Sequence, residues 1–210
     1  MTVIHLVRHA DHDWVGRGLA GRMDTPLNAA GRAQAERLGR WYAGKRVAAL
    51  WASPLPRTQQ TAEPIARALN LPIRSADDLV EVEFGAWTGR DFTDLDGDPD
   101  WRRWNGARSL AQPPGGETIP EVQARMVGFI SRLCADDPEG IHVLVGHGDP
   151  IRAALAYYLG VAVDLFLRIE VSPASISVLA IDGWTPKVLR LNQTLGDGTF
   201  DDDGSMAPAS

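Results

Sequence analysis

The chain has 210 residues, 44% of them apolar, and a formal net charge of −6. That length and apolar content suit one soluble core. The acidic balance excludes a general binder of nucleic acid or of anionic membrane surfaces, so any anion held here must be held by a local cluster of cations.

Residues 3–7 form an apolar run of the length of a buried strand, and it ends abruptly in Arg8 and His9. A polar, glycine-rich loop follows, with His12 and Val15 near its start and Arg22 further on. Asn28 is placed to cap a helix reaching about residue 43, with Leu38, Trp41 and Tyr42 on its buried stripe and Gly44 as its stop. Residues 47–52 read as a second apolar strand. Ser53 and Pro54 are expected to cap the next helix, which carries Arg57 in its second turn and is expected to bend at Pro64.

Residues 71–73 are a short third strand candidate, and 79–84 are ambiguous between strand and loop. Across 85–116 both the helical and the strand periods fade. The segment mixes Trp87, Trp101 and Trp104 with many Asp, Arg and Gly residues, and is expected to be a lid inserted over the sheet. Residues 119–134 are amphipathic, with Val122, Met126, Phe129, Ile130 and Leu133 on one side. Residues 141–145 form the clearest strand after the first. A tight turn over 146–150 and a helix over 151–159 come next. Strands over 175–181 and 187–191 are joined through Asp182-Gly183, a hairpin signal. The Asp- and Gly-rich stretch 196–210 is expected to be disordered.

Strands alternating with helices imply an α/β fold: three layers, α/β/α, around a mostly parallel sheet. The expected organisation is one domain over 1–195 with a small lid insertion at 85–116. The single cysteine, Cys134, cannot form an internal disulfide, which fits a reducing compartment. The first residues do not resemble a secretory leader and nothing approaches an apolar span of about 18 residues. The expected location is cytoplasmic.

Two strands share an ending. Residues 3–7 lead into Arg8-His9, and 141–145 into Gly146-His147-Gly148. A third strand, 47–52, feeds the helix that carries Arg57. In a parallel sheet these three exits lie on one edge, where open α/β sheets place their ligands. Two histidines and two arginines would then converge. Guanidinium forks bind phosphate oxygens bidentately, and the helix starts near Ser53 and Gly148 add unpaired N–H groups. The result is a site for a phosphate dianion in an otherwise acidic molecule.

Six ordered blocks extend this reading. They are Leu6-Val7-Arg8-His9; 21–27 with Gly31; 53–62 around Arg57; 81–89, opening on Glu81; Pro114-Gly115-Gly116-Glu117; and Val145-Gly146-His147-Gly148 followed by Ile151-Arg152. In kind and order they resemble the histidine phosphatase superfamily, the phosphoglycerate mutase-like proteins. The resemblance implies that His9 is the nucleophile and becomes a phosphohistidine. It implies that Arg8, Arg57 and His147 hold the phosphate, and that Glu81, not its neighbour Glu83, is the general acid and base. Arg22, His12 and the Gly148 helix start are expected to help bind substrate. No metal or other cofactor is expected, because arginines supply the positive charge.

Departures from the family pattern are Ala10 and Asp149 where glycine is usual, and Val15 where an asparagine often donates to the phosphate. The function expected is hydrolysis of small phosphomonoesters, with a small phosphorylated metabolite as partner, neither nucleic acid nor membrane involved, and the oligomeric state left open. The alternatives are a phosphomutase and a catalytically weak binder of phosphorylated ligands.

Overall fold

The structure is a computed structural model that describes residues 1–183 and 185–196. The expected disorder of 196–210 falls outside the described residues from 197 onward. Six strands form one sheet in the order β3-β2-β4-β1-β5-β6. They are β1 (Thr2–Arg8), β2 (Ala49–Ala52), β3 (Ile73–Ser75), β4 (Ile141–Gly146), β5 (Ile176–Asp182) and β6 (Thr185–Gln193). β1 pairs in parallel with β4, β4 with β2, and β2 with β3. Only β5 runs against its neighbours, β1 and β6.

The sheet is covered on both faces, so its central strands β1 and β4 are buried along nearly their whole length instead of on alternate residues, even at His5 and His142. Val3, Val7, Leu50, Val143, Val145 and Ile176 pack against α1 (Ala29–Tyr42) and α2 (Pro56–Leu69). Ile4, Leu6, Leu144 and Leu179 belong to the opposite core, with α5 (Ile119–Asp136) and α6 (Gly148–Leu159). α5 buries Ile119, Val122, Met126, Phe129, Ile130 and Leu133, each contributing roughly 1.5–3 kcal/mol. Thr118 and Glu121 close a reciprocal capping box at its start.

Asn28 caps α1 as expected: its side chain accepts from Gly31 N at 2.8 Å. Two helix starts differ from expectation. α2 begins at Pro56, with Leu55 in the cap position, so Arg57 sits in the first turn and not the second. Ser53 lies too early in the chain to cap this helix; its hydroxyl accepts from Leu55 N at 3.4 Å and meets His147 Nε2 at 2.9 Å. α6 begins at Gly148, earlier than expected, because Pro150 fits the first turn, where no intrahelical N–H is needed. Residues 79–84 are not a strand.

Segment 85–116 contains two short helices, α3 (Phe92–Leu95) and α4 (Pro99–Gly106). Trp87 packs edge-on against Trp101 and Trp104, with ring centroids 5.5 and 6.2 Å apart. All three tryptophans belong to or pack on the α5/α6 core. A backbone bridge between Gly18 and Asp91 ties the loop after β1 to this segment. No helix among the described residues is long and apolar enough to cross a membrane.

Candidate active site

The carboxyl ends of β1, β2 and β4 lie side by side, with Val7 level with Val145 and Ala52 also level with Val145. Arg8 ends β1 and His9 follows it. His147 follows β4, and Arg57 stands in the first turn after β2. The expected convergence therefore occurs. The ring centroids of His9 and His147 are 5.2 Å apart, and those of His9 and His12 are 4.9 Å apart. Arg8, His9, His12, Arg57, Glu81, Gly148 and Asp149 line one cavity of about 400 Å³. His147 is wholly buried behind the lining, against Ser53.

Each cation is anchored yet retains a free donor. Arg57 Nη2 donates to the Gly21 carbonyl at 2.6 Å, and Nη1 donates to the Met23 carbonyl at 3.0 Å and to Thr25 Oγ1 at 3.1 Å. Arg8 Nη1 donates to the Val171 carbonyl at 2.6 Å. The Nε atoms of Arg8 and Arg57 and Nδ1 of His147 are buried without a hydrogen-bond partner among the described residues. Buried polar groups without partners are costly, and the two arginine Nε atoms can only donate. A concentration of them around one hollow suits an anion that would complete the bonding.

His9 Nδ1 lies 2.8 Å from the Ala10 carbonyl. A carbonyl can only accept, so Nδ1 carries the hydrogen and Nε2 is left with its lone pair. Burial, then the guanidinium charges of Arg8 and Arg57, hold the His9 pKa well below its ordinary value, so the ring is neutral near pH 7. Burial and Arg57 do the same to His147 and bring His12 to about 4. Burial, then Asp149, pushes Glu81 up to about 7, although Val82 N donates to its Oε1 at 2.9 Å.

Arg22, expected from the sequence to help bind substrate, is engaged with the segments behind Glu81. Arg22 lies outside the cavity lining. Its Nε donates to the Glu81 carbonyl at 3.1 Å and its Nη2 to Glu117 Oε2 at 3.2 Å. Glu117 is in turn gripped by Arg125 Nε and Nη2 at 2.8 and 3.1 Å. Two acids of opposite charge to Arg22 claim its guanidinium, so it braces the backbone that carries Glu81. Glu83 pairs with Arg22 and is not in the lining, whereas Glu81 is. Val15 lines the cavity without a polar atom on its side chain to offer. Sequence reasoning overlooked Arg108 as a lining residue. It also gave no role to Trp14, Phe84 and Arg152 there.

The description "Histidine phosphatase superfamily (branch 1)" matches residues 4–194. This chain belongs to that superfamily. Phosphoserine phosphatase 1 of Hydrogenobacter thermophilus is 32% identical over 204 residues, which are 95% of this chain and 96% of that protein. Among solved structures, Bacillus stearothermophilus YhfR superposes with a TM-score of 0.85 at 26% identity, covering 93% of this chain and 98% of the other. A mycobacterial glucosyl-3-phosphoglycerate phosphatase superposes with a TM-score of 0.82 at 26% identity, covering 91% and 99%. The three-layer α/β fold is thus that of a superfamily whose members include phosphatases.

Proposed function

We propose that this chain is a phosphatase that hydrolyses small phosphomonoesters through a phosphohistidine at His9. One observation carries the reading: a neutral imidazole with its hydrogen fixed on Nδ1 lines a cavity shared with Arg8, Arg57 and Glu81. In the first step Nε2 attacks phosphorus, the N–P bond forms and the bond from phosphorus to the ester oxygen breaks. Glu81, half protonated at neutral pH, gives its proton to the departing oxygen from its acid form. In the second step Glu81 takes a proton from water, the resulting oxygen attacks phosphorus, and the N–P bond breaks to release inorganic phosphate. Arg8 and Arg57 spread positive charge over the three equatorial oxygens, with His147 beside them as a neutral ring, and a loose phosphoryl-transfer transition state requires such charge more than covalent help. That charge is already present in fixed side chains, so the steps need no metal ion.

His9→Ala is expected to abolish hydrolysis of an aryl phosphate, and the wild-type protein to yield an acid-labile, base-stable phosphoenzyme on rapid quench. Undiminished hydrolysis by His9→Ala would overturn the reading. A product that is an isomeric phosphate ester, with no phosphate released, would point to the mutase alternative.

A further inference from the structure

We propose that Arg108, backed by Arg152, is a carboxylate-binding group in this cavity, and that the substrates are phosphomonoesters bearing a carboxylate. The inference rests on the phosphomonoester reading of the same cavity. Arg108 follows α4 and is 3% exposed. Its Cζ lies 4.8 Å from the ring centroid of Trp104 and 4.9 Å from that of Phe166. The two rings hold the guanidinium plane between them. Nη2 donates to Asn105 Oδ1 at 2.6 Å, while Nε and Nη1 have no hydrogen-bond partner among the described residues. Asp149 Oδ2 is 3.5 Å from Nη1, an ion contact only.

Arg57 shows the same combination: a nearly inaccessible guanidinium, a place in the cavity lining and an unpartnered Nε. Where that combination marks the phosphate end, its recurrence at Arg108 marks a second anion end. Local charge decides which anion. Asp149 also accepts from Arg152 Nη1 at 3.0 Å, and Arg152 Nε is tied to the Ile169 carbonyl at 3.0 Å. Two guanidinium groups and one carboxylate leave a single positive charge, which matches a carboxylate and not a second phosphate dianion. Of the other two acids of the lining, Glu81 is assigned to the phosphoryl end as the proton donor, and Asp96 is exposed, so that water screens it. A fork held in a dry slot rejects a ligand that leaves it unpaired.

The test uses O-phosphoserine and O-phosphoethanolamine, which differ by one carboxylate. Binding is measured by calorimetry in His9→Ala, so turnover does not intervene. Phosphoserine is expected to bind about tenfold or more tightly than phosphoethanolamine, and Arg108→Met in that background to bring the ratio close to one. Arg108→Lys keeps a cation over both rings but loses the fork, and the ratio is expected to fall there too. No preference in the parent overturns the inference. So does an equal loss of both ligands in the Met variant, which would make Arg108 a brace only. Tighter binding of propane-1,3-diol bisphosphate than of phosphoserine would assign the slot to phosphate and overturn the carboxylate. Failure of the wild-type protein to hydrolyse any phosphomonoester, with the binding ratio intact, sinks the phosphatase reading alone.

Discussion

Glu81 is where burial acts most directly on chemistry. A carboxyl at a pKa of about 7 is half protonated at neutral pH, so it can give a proton and take one back within a single turnover. Glu81→Gln cannot. It is expected to lower kcat on an alkyl phosphate by roughly 10²–10⁴-fold and to cost far less on a nitrophenyl phosphate, whose leaving group needs no proton. Wild-type activity on the alkyl ester is expected to fall as pH rises through about 7. Equal losses on both esters would remove the acid role. Arg22→Met tests the brace behind it: kcat falls, by up to about 100-fold if Glu81 swings away, while inhibition by inorganic phosphate stays unchanged. Arg8, His9, Arg57, Glu81 and His147 were legible because each stands in a recognisable block, four of them at or just beyond a strand exit. Arg108 was not, since it follows a short helix and gains its meaning only from Trp104, Phe166 and Asp149, which lie far apart in the chain.

Elements were legible where the apolar period was long. β1, α1, α5 and β4 fall within a residue or two of expectation because each buries a continuous stripe. α3 and α4 escaped notice because they are four and eight residues long and polar outside the Trp cluster. Their order comes from tertiary packing of Trp87, Trp101 and Trp104. One local signal was there to be used: Asp98 caps α4, its side chain accepting from Asp100 N at 2.9 Å, with Pro99 in the first turn. The α1–α2 contact supplies a test at this scale. A Cβ on Gly39 would meet Pro64 Cβ and the Pro64 carbonyl oxygen, both at 2.8 Å. Glycine to alanine inside a helix ordinarily gains about 1 kcal/mol. Here overpacking against backbone opposes that gain, and Gly39→Ala is expected to destabilise by about 1–2 kcal/mol, read as a lower urea midpoint at constant slope. A stabilised variant would show that the two helices separate freely.

At the scale of the whole molecule, the site makes stability depend on pH. All five histidines of the chain, His5, His9, His12, His142 and His147, have pKa values below the ordinary 6.5, with burial the leading cause in each. His5 reaches about 4 inside β1, where Nδ1 pairs with the Tyr42 hydroxyl at 3.0 Å. Between pH 6.5 and about 4 the unfolded chain therefore binds protons that the folded chain refuses. The stability these rings contribute is complete above 6.5 and is lost as pH falls, by about 1.4 kcal/mol per pH unit for each ring that stays neutral. Glu81 works the other way: its pKa is raised from 4.5 to about 7, so its contribution is complete below 4.5 and is lost as pH rises through 7. Several rings outweigh one carboxyl. The net expectation is a loss of several kcal/mol between pH 7 and 5, a large share of the roughly 5–15 kcal/mol that holds a domain together. Urea unfolding at half-unit pH steps measures it. In Glu81→Gln the opposing proton uptake is gone, so the same descent is expected to be steeper by about one proton per molecule. A midpoint that holds level from pH 7 to 5 would mean the histidines accept protons in the folded state, and with that the neutral nucleophile would lose its basis at the acid end.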